Sequence, residues 1–225
     1  MARQMIMPLL AGVLGTAFLL GLGTWQMQRL AWKTEILNRI EARISDAPVA
    51  LPAAPDPVRD LYLPVQVAGD IGGDYIAVLA SQKNIGPGYR IVAAMQLVDG
   101  RRVLIDRGFI GLEARDSVRP AADVDVVGNV HWPDDMDGWT PEPDLKAGIW
   151  FGRDIPAIAA KLGTEPVLIV ARSTSEDGSP VTPLPLSTDG IPNNHLMYAI
   201  TWFSLAAVWL GMTGFLLWRI RQQTV

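Results

Sequence analysis

Two unbroken apolar stretches, one near each end of the chain, enclose a long middle in which apolar and polar positions alternate. Residues 5–25 (MIMPLLAGVLGTAFLLGLGTW) and 197–218 (MYAITWFSLAAVWLGMTGFLLW) carry no charged side chain. At 1.5 Å per residue each makes a helix of about 30 Å, the thickness of a bilayer's hydrocarbon core, so both read as transmembrane helices. The first also admits a signal-peptide reading, with Arg3 ahead of it and Gly21-Leu22-Gly23 as a small-residue cleavage region. Against that, a helical stripe continues past the cut. Leu30, Ile36, Leu37, Ile40 and Ile44 fall near i, i+3, i+4, i+7 spacing and predict an amphipathic stalk over residues 26–45. Its basic residues either face solvent or touch anionic head groups. Small residues on the two spans, Gly12, Gly15 and Thr16 on one and Ala207, Gly211 and Gly214 on the other, predict a closely packed hairpin.

The stalk ends at a proline-rich linker, residues 46–58 (DAPVALPAAPDPV), which no helix survives. Short β-branched or alternating runs follow at 62–68, 74–80, 90–98, 102–110, 124–132 and 167–172. Turn signals separate them: GDIGGD at 69–74, NIGPG at 84–88 and VDGRR at 98–102, the last with an Asp99-Gly100 hairpin pair. One helix is predicted among them, with Asp154 as cap, Pro156 in the first turn, Ile155, Ile158, Ala159 and Leu162 on one face, and Gly163 as terminator. Residues 59–173 therefore predict an α+β domain with a mainly antiparallel sheet or small barrel. A polar, proline-rich second linker spans 174–192, and the second membrane helix with its cap spans 193–218. The fold class expected is a membrane protein whose N- and C-terminal transmembrane helices flank that domain. Two spans put both termini on one side and the middle on the other. Arg3, Arg219 and Arg221 on one side nearly balance Arg29, Lys33, Arg39 and Arg43 on the other, so charge alone leaves the orientation open.

The net charge of −4 gives no support for binding nucleic acid, and the absence of cysteine excludes disulfides, thiol nucleophiles and thiolate metal sites. The acidic stretch PDDMDGWTPEPD (133–144) resembles a calcium loop, yet proline stands at its first ligand position and aspartate at its twelfth; it reads as an acidic turn. Asp106-Arg107-Gly108 closes an apolar strand and reads as a buried ion pair or a turn. A Ser–His–Asp hydrolase would need His131 or His195, and no serine has a nucleophile-elbow context. His131, before Trp132 and Pro133, reads as a surface or packing residue. His195 is different. It follows Pro192-Asn193-Asn194, a helix start with asparagine as N-cap, and so falls in the first turn, where the helix dipole favours the neutral ring that a haem iron needs. Tyr198, Ala199 and Trp202 share its helical face as a candidate aromatic wall beside a porphyrin. The alternative is an interfacial histidine in an aromatic belt that merely caps the helix.

Four stretches carry a family resemblance: GLGTWQMQRLAWKTEIL (21–37), GYRIVAAMQLVDGRRVLIDRGFI (88–110), WFGRDIPAIAAKLGTEPVLI (150–169) and NNHLMYAITWFSLAAVW (193–209). Together they resemble the Surfeit-locus-1 family of cytochrome c oxidase assembly factors. The Gly-Thr-Trp-Gln end of the first span and the Asn-Asn-His-Leu start of the second are the most specific. The family's usual Asn-Arg-Gly-Trp is here Asp106-Arg107-Gly108-Phe109. The resemblance implies a bacterial member in the inner membrane, with cytoplasmic termini and a periplasmic domain. It implies haem a as cofactor, held stably or in transit, with His195 as iron ligand and Tyr198 and Trp202 beside it. It implies oxidase subunit I as partner, with haem a synthase as a further one, besides membrane lipids. The task implied is placement of haem a in subunit I, without catalysis of a bond change. The alternative is a membrane scaffold for oxidase subunits with no cofactor of its own.

Overall fold

A computed structural model describes residues 2–83 and 85–223, with side chains from Met5 onward. Asn84, the first residue of the NIGPG signal, and the side chain of Arg3 lie outside the described residues. The chain divides into two compact units. One joins the residues up to Arg39 with those from Thr188 onward; the other is Ile40–Ser187.

The first unit is built from most of α1 (Ala2–Ser45) and from α3 (His195–Gln223). Both are long and apolar enough to cross a membrane, and only 6% of the most apolar window of each is buried in the protein. Three threonine hydroxyls in these helices are satisfied locally, while that of Thr16 is buried without a partner. Thr24 Oγ1 donates to Leu20 O, Thr201 Oγ1 to Met197 O and Thr213 Oγ1 to Trp209 O, at 2.8–2.9 Å, so none of the three needs water. The stalk stripe read from the sequence all lies on the sheltered side of α1, and Ile44 is buried.

The second unit is a sheet that closes on itself. β2 (Pro64–Gln82) pairs antiparallel with β3 (Gly86–Leu97), β3 with β4 (Arg102–Gly111), and β5 (Ala121–His131) with both β2 and β7 (Leu168–Thr174). The ring is completed by a parallel β4–β7 pairing. Two short strands, β1 (Val49–Ala50) and β6 (Ile149–Trp150), add parallel pairings to β2. The sheet is therefore mixed rather than mainly antiparallel. Turn signals specify antiparallel neighbours, whereas β1, β6 and β7 return after long connections that carry no pairing code. A second expectation also changes. GDIGGD is no turn: it lies inside β2, which runs unbroken through it with a register shift between Ile71 and Tyr75. A Cβ at Gly69 would strike Gln96 O, so glycine lets the two strands approach. The irregularity at 69–75 lets one strand pair with β5 in its first half and β3 in its second.

Val65, Val67, Ala93, Met95, Val103, Ile105, Val126, Ile169 and Ala171, drawn from all five ring strands, form one buried cluster that fills the ring. The alternate residues, among them Val92, Leu104, Leu168 and Val170, pack instead against Ile155, Ile158, Ala159 and Leu162 of α2 (Ile155–Leu162). α2 is held as its sequence predicts: Asp154 accepts from Ala157 N–H at 3.1 Å, Pro156 occupies the first turn, and Gly163 ends it at φ 65°. The Asp99-Gly100 hairpin is present, with Gly100 at φ 89°.

Candidate functional site

α1 and α3 lie side by side, antiparallel. A Cβ at Gly12 would meet Thr213, one at Gly15 the Trp209 ring, and one at Gly23 the Phe203 ring at 2.5 Å. Gly12, Gly15, Thr16 and Gly23 thus face α3, as spacing predicts for the first two glycines and the threonine. On α3 the expected small residues make no such close approach: a Cβ at Gly211 or Gly214 would meet nothing within 4 Å, and Ala207 is exposed. Ala199 and Ala206 are the buried ones, and large side chains, Phe203 and Trp209, fill the grooves over the α1 glycines. Small residues on one helix suffice for close approach when the other supplies the knobs.

The same face of α1 continues from Gly23 to Gln26, Leu30 and Lys33, spaced three and four residues apart. It meets the start of α3. His195 is the first residue of α3. Its Nδ1 lies 2.8 Å from Gln26 Oε1. An amide oxygen only accepts, so Nδ1 is the donor of this bond, and in the neutral ring Nε2 is the nitrogen that holds the lone pair. Two further ties hold the turn in front of it: Lys33 Nζ donates to Pro192 O, and Asn193 Nδ2 donates to Thr34 Oγ1 at 3.4 Å. Asn193, read from the sequence within the cap of α3, instead reaches across to α1.

The residues read as a wall beside His195 differ in exposure. Ala199 is fully buried and Trp202 half-buried, on the side of α3 that carries His195 and Ala206. Tyr198 is 55% exposed, with Leu196 and Met197 exposed beside it. Gln26 was missed as a site residue. The available signal was a lone polar side chain ending an apolar interhelical stripe; at 9% exposure it is buried, and a buried amide needs a partner.

The other sequence candidates resolve into structure. Asp106, fully buried, pairs with Arg90 Nε at 2.7 Å and lies 3.6 Å from Arg153 Nη1; its partner is not Arg107. Arg107 is the extra residue of a bulge between β3 and β4. It bonds Glu176 at 2.5 Å and Arg119 O at 2.8 Å. Asp135, of the acidic turn, holds Arg153 at 2.6 Å, and Asp137 caps Trp139 N–H at 2.9 Å. Among the described residues no three of the His, Asp and Glu side chains are grouped to hold a metal ion. His131 stacks on Tyr62 at 5.5 Å between ring centroids. Burial, then the charges of Arg153 and Arg90, bring its imidazole down to about 4, so it is neutral at pH 7.

The Gln26–His195 bond joins two segments far apart in sequence, the Gly-Thr-Trp-Gln end of one helix and the Asn-Asn-His-Leu start of the other. Comparison with known proteins follows the same segments: the SURF1 family model matches residues 13–207, which include both. The chain belongs to the SURF1 family. Surfeit locus protein 1 of Homo sapiens is 31% identical over 216 residues, covering 85% of this chain and 71% of the human one. That of Rattus norvegicus is 30% identical over 215 residues, covering 85% and 69%. A SURF1-like protein of Drosophila melanogaster is 30% identical over 226 residues, covering 88% and 72%. The matched residues thus take in the closed sheet, most of α1 and the first half of α3.

Proposed function

We propose that this SURF1-family chain is an assembly factor for cytochrome c oxidase that binds haem a at His195 and promotes its placement in subunit I. The observation that carries the reading is the His195 ring: Nδ1 is bonded to Gln26 Oε1 at 2.8 Å, so that in the neutral ring Nε2 is the nitrogen free to take a metal. That is a nitrogen donor of the kind a haem iron takes, with the ring's other nitrogen held by a hydrogen bond. When bound, haem a supplies an iron able to take an axial nitrogen. His195 would hold it, and Trp202 and Tyr198 offer aromatic surface on the same and the adjoining side of α3. The task in this reading is binding and hand-over, without bond making or breaking. Leu14, Phe18, Val208 and Phe215 are each more than half exposed. Such surfaces are costly in water and favourable in lipid, which supports a membrane hairpin; the bacterial inner membrane and a periplasmic side for the closed sheet come with the family reading. Haem a synthase and membrane lipids are further partners in this reading.

A scaffold reading, with oxidase subunits held and no cofactor, draws on a different observation. An apolar cleft of about 540 Å³ lies along the helix pair near Pro8, Ala11, Trp209, Met212 and Phe215. The two readings separate in one comparison. The chain and its His195→Ala and His131→Ala variants are purified side by side from cells that make haem a. Loss of haem in His195→Ala alone supports the ligand. Equal haem-to-protein ratios in all three reject it and leave the scaffold.

A further inference from the structure

We propose that Gln26 is a positioning residue for His195: it sets the ring's tautomer and keeps the axial nitrogen only weakly basic, so that a bound haem can be released. The inference rests on the haem-binding reading above. In the helix-pair unit Gln26 is the one buried polar side chain among the described residues. It stands on a stripe with Gly12, Gly15, Thr16, Gly23, Leu30 and Lys33. An amide there costs desolvation unless its oxygen is bonded, and His195 Nδ1 at 2.8 Å bonds it. The pairing is reciprocal. Without Gln26 that bond no longer fixes the tautomer, and the Nε2–H form would present a protonated nitrogen to the iron.

The choice of an amide has its own consequence. Metal-binding histidines donate their second N–H to a carboxylate, a carbonyl or water, and the stronger the acceptor, the more basic the ligating nitrogen. A carboxylate at position 26 would draw the proton toward itself and tighten the metal bond. The neutral glutamine oxygen orients the ring with far less of that effect. It also brings no second charge into an apolar helix face. A ligand fixed in direction but modest in strength suits a protein that holds a group and then passes it on.

The test uses the full chain in detergent. With only two histidines in the sequence, ¹⁵N-histidine labelling reads each tautomer directly, without haem. His195 is expected as the Nδ1–H form in the wild type and as a mixture or the Nε2–H form in Gln26→Leu. Titrated with haem a, Gln26→Leu is expected to bind roughly 10- to 100-fold more weakly. Gln26→Glu is expected to bind at least as tightly as wild type and to lower the reduction potential of the bound haem. A wild-type tautomer and wild-type affinity in Gln26→Leu would overturn the positioning role, and an unchanged potential in Gln26→Glu would overturn the tuning. If Gln26→Leu does not fold, Gln26→Glu carries the test alone. Haem binding that survives His195→Ala would sink the ligand assignment instead, while the tautomer measurement still decides the Gln26 contact.

Discussion

Replacing Asp106 by alanine should be among the most damaging single changes in the closed sheet. Its carboxylate is fully buried, pairs with Arg90 at 2.7 Å and with Arg153 at 3.6 Å, and accepts the Gly108 N–H at 3.1 Å. Alanine leaves two arginines, each with about one seventh of its side chain exposed, facing one another across an empty acceptor. Arg90 then keeps only Leu184 O, and Arg153 keeps Asp135. Breaking a buried pair from one side costs about 3–5 kcal/mol, and the lost bond to Gly108 adds about 1 kcal/mol. A domain has about 5–15 kcal/mol in all, so Asp106→Ala should remove a third or more of it. Asp106→Asn keeps the shape and an acceptor for Gly108 and should cost about half as much. The measurement is urea unfolding of the detergent-purified chain, followed by tryptophan fluorescence, with the shift in midpoint read at constant slope. The pair Arg90→Met with Asp106→Leu should lose less than its two single changes summed, by about 1 kcal/mol or more. Asp106→Ala within about 1 kcal/mol of wild type would refute the view that this carboxylate holds the two arginines.

Asn129, buried, donates from Nδ2 to Ile44 O and Tyr62 O at 2.9 and 3.0 Å; Asn129→Ala should cost about 1–3 kcal/mol and speed proteolysis near residue 45. Gly108 sits at φ 122° with Thr182 O where a Cβ would go, so Gly108→Ala should cost about 1–3 kcal/mol in the same unfolding assay. His131 titrates at about 4 in the folded chain, against 6.5 when unfolded. A lowered folded value means the unfolded state takes up the proton first, so the contribution is complete above 6.5 and is lost as pH falls from there toward 4. Between pH 7 and 5 the wild type should lose at most about 2 kcal/mol more than His131→Phe; equal slopes would exclude His131 as the titrating group.

How far local sequence reaches is visible in α2 and in β2. Asp154, Pro156 and Gly163 bracket α2 within ten residues. Each acts through a bond or a backbone angle one turn away, so the helix, its ends and its buried face were all legible. The two long apolar helices were legible for the same reason, and so were His195 at the head of α3 and the hairpin at Asp99-Gly100. The glycines of GDIGGD carry the same local code, yet β3 pairs along both sides of them and keeps the strand extended. Tertiary pairing there outweighs a turn propensity worth only a fraction of a kcal/mol per residue. The parallel β4–β7 ladder, the buried partners of Asp106 and the exposure of Tyr198 are decided likewise by packing. Gln26 and His195 are 169 residues apart. His195 stood out in the sequence and Gln26 did not, and only the antiparallel contact of α1 with α3, keyed by glycines under Phe203 and Trp209, brings amide and imidazole within hydrogen-bonding distance.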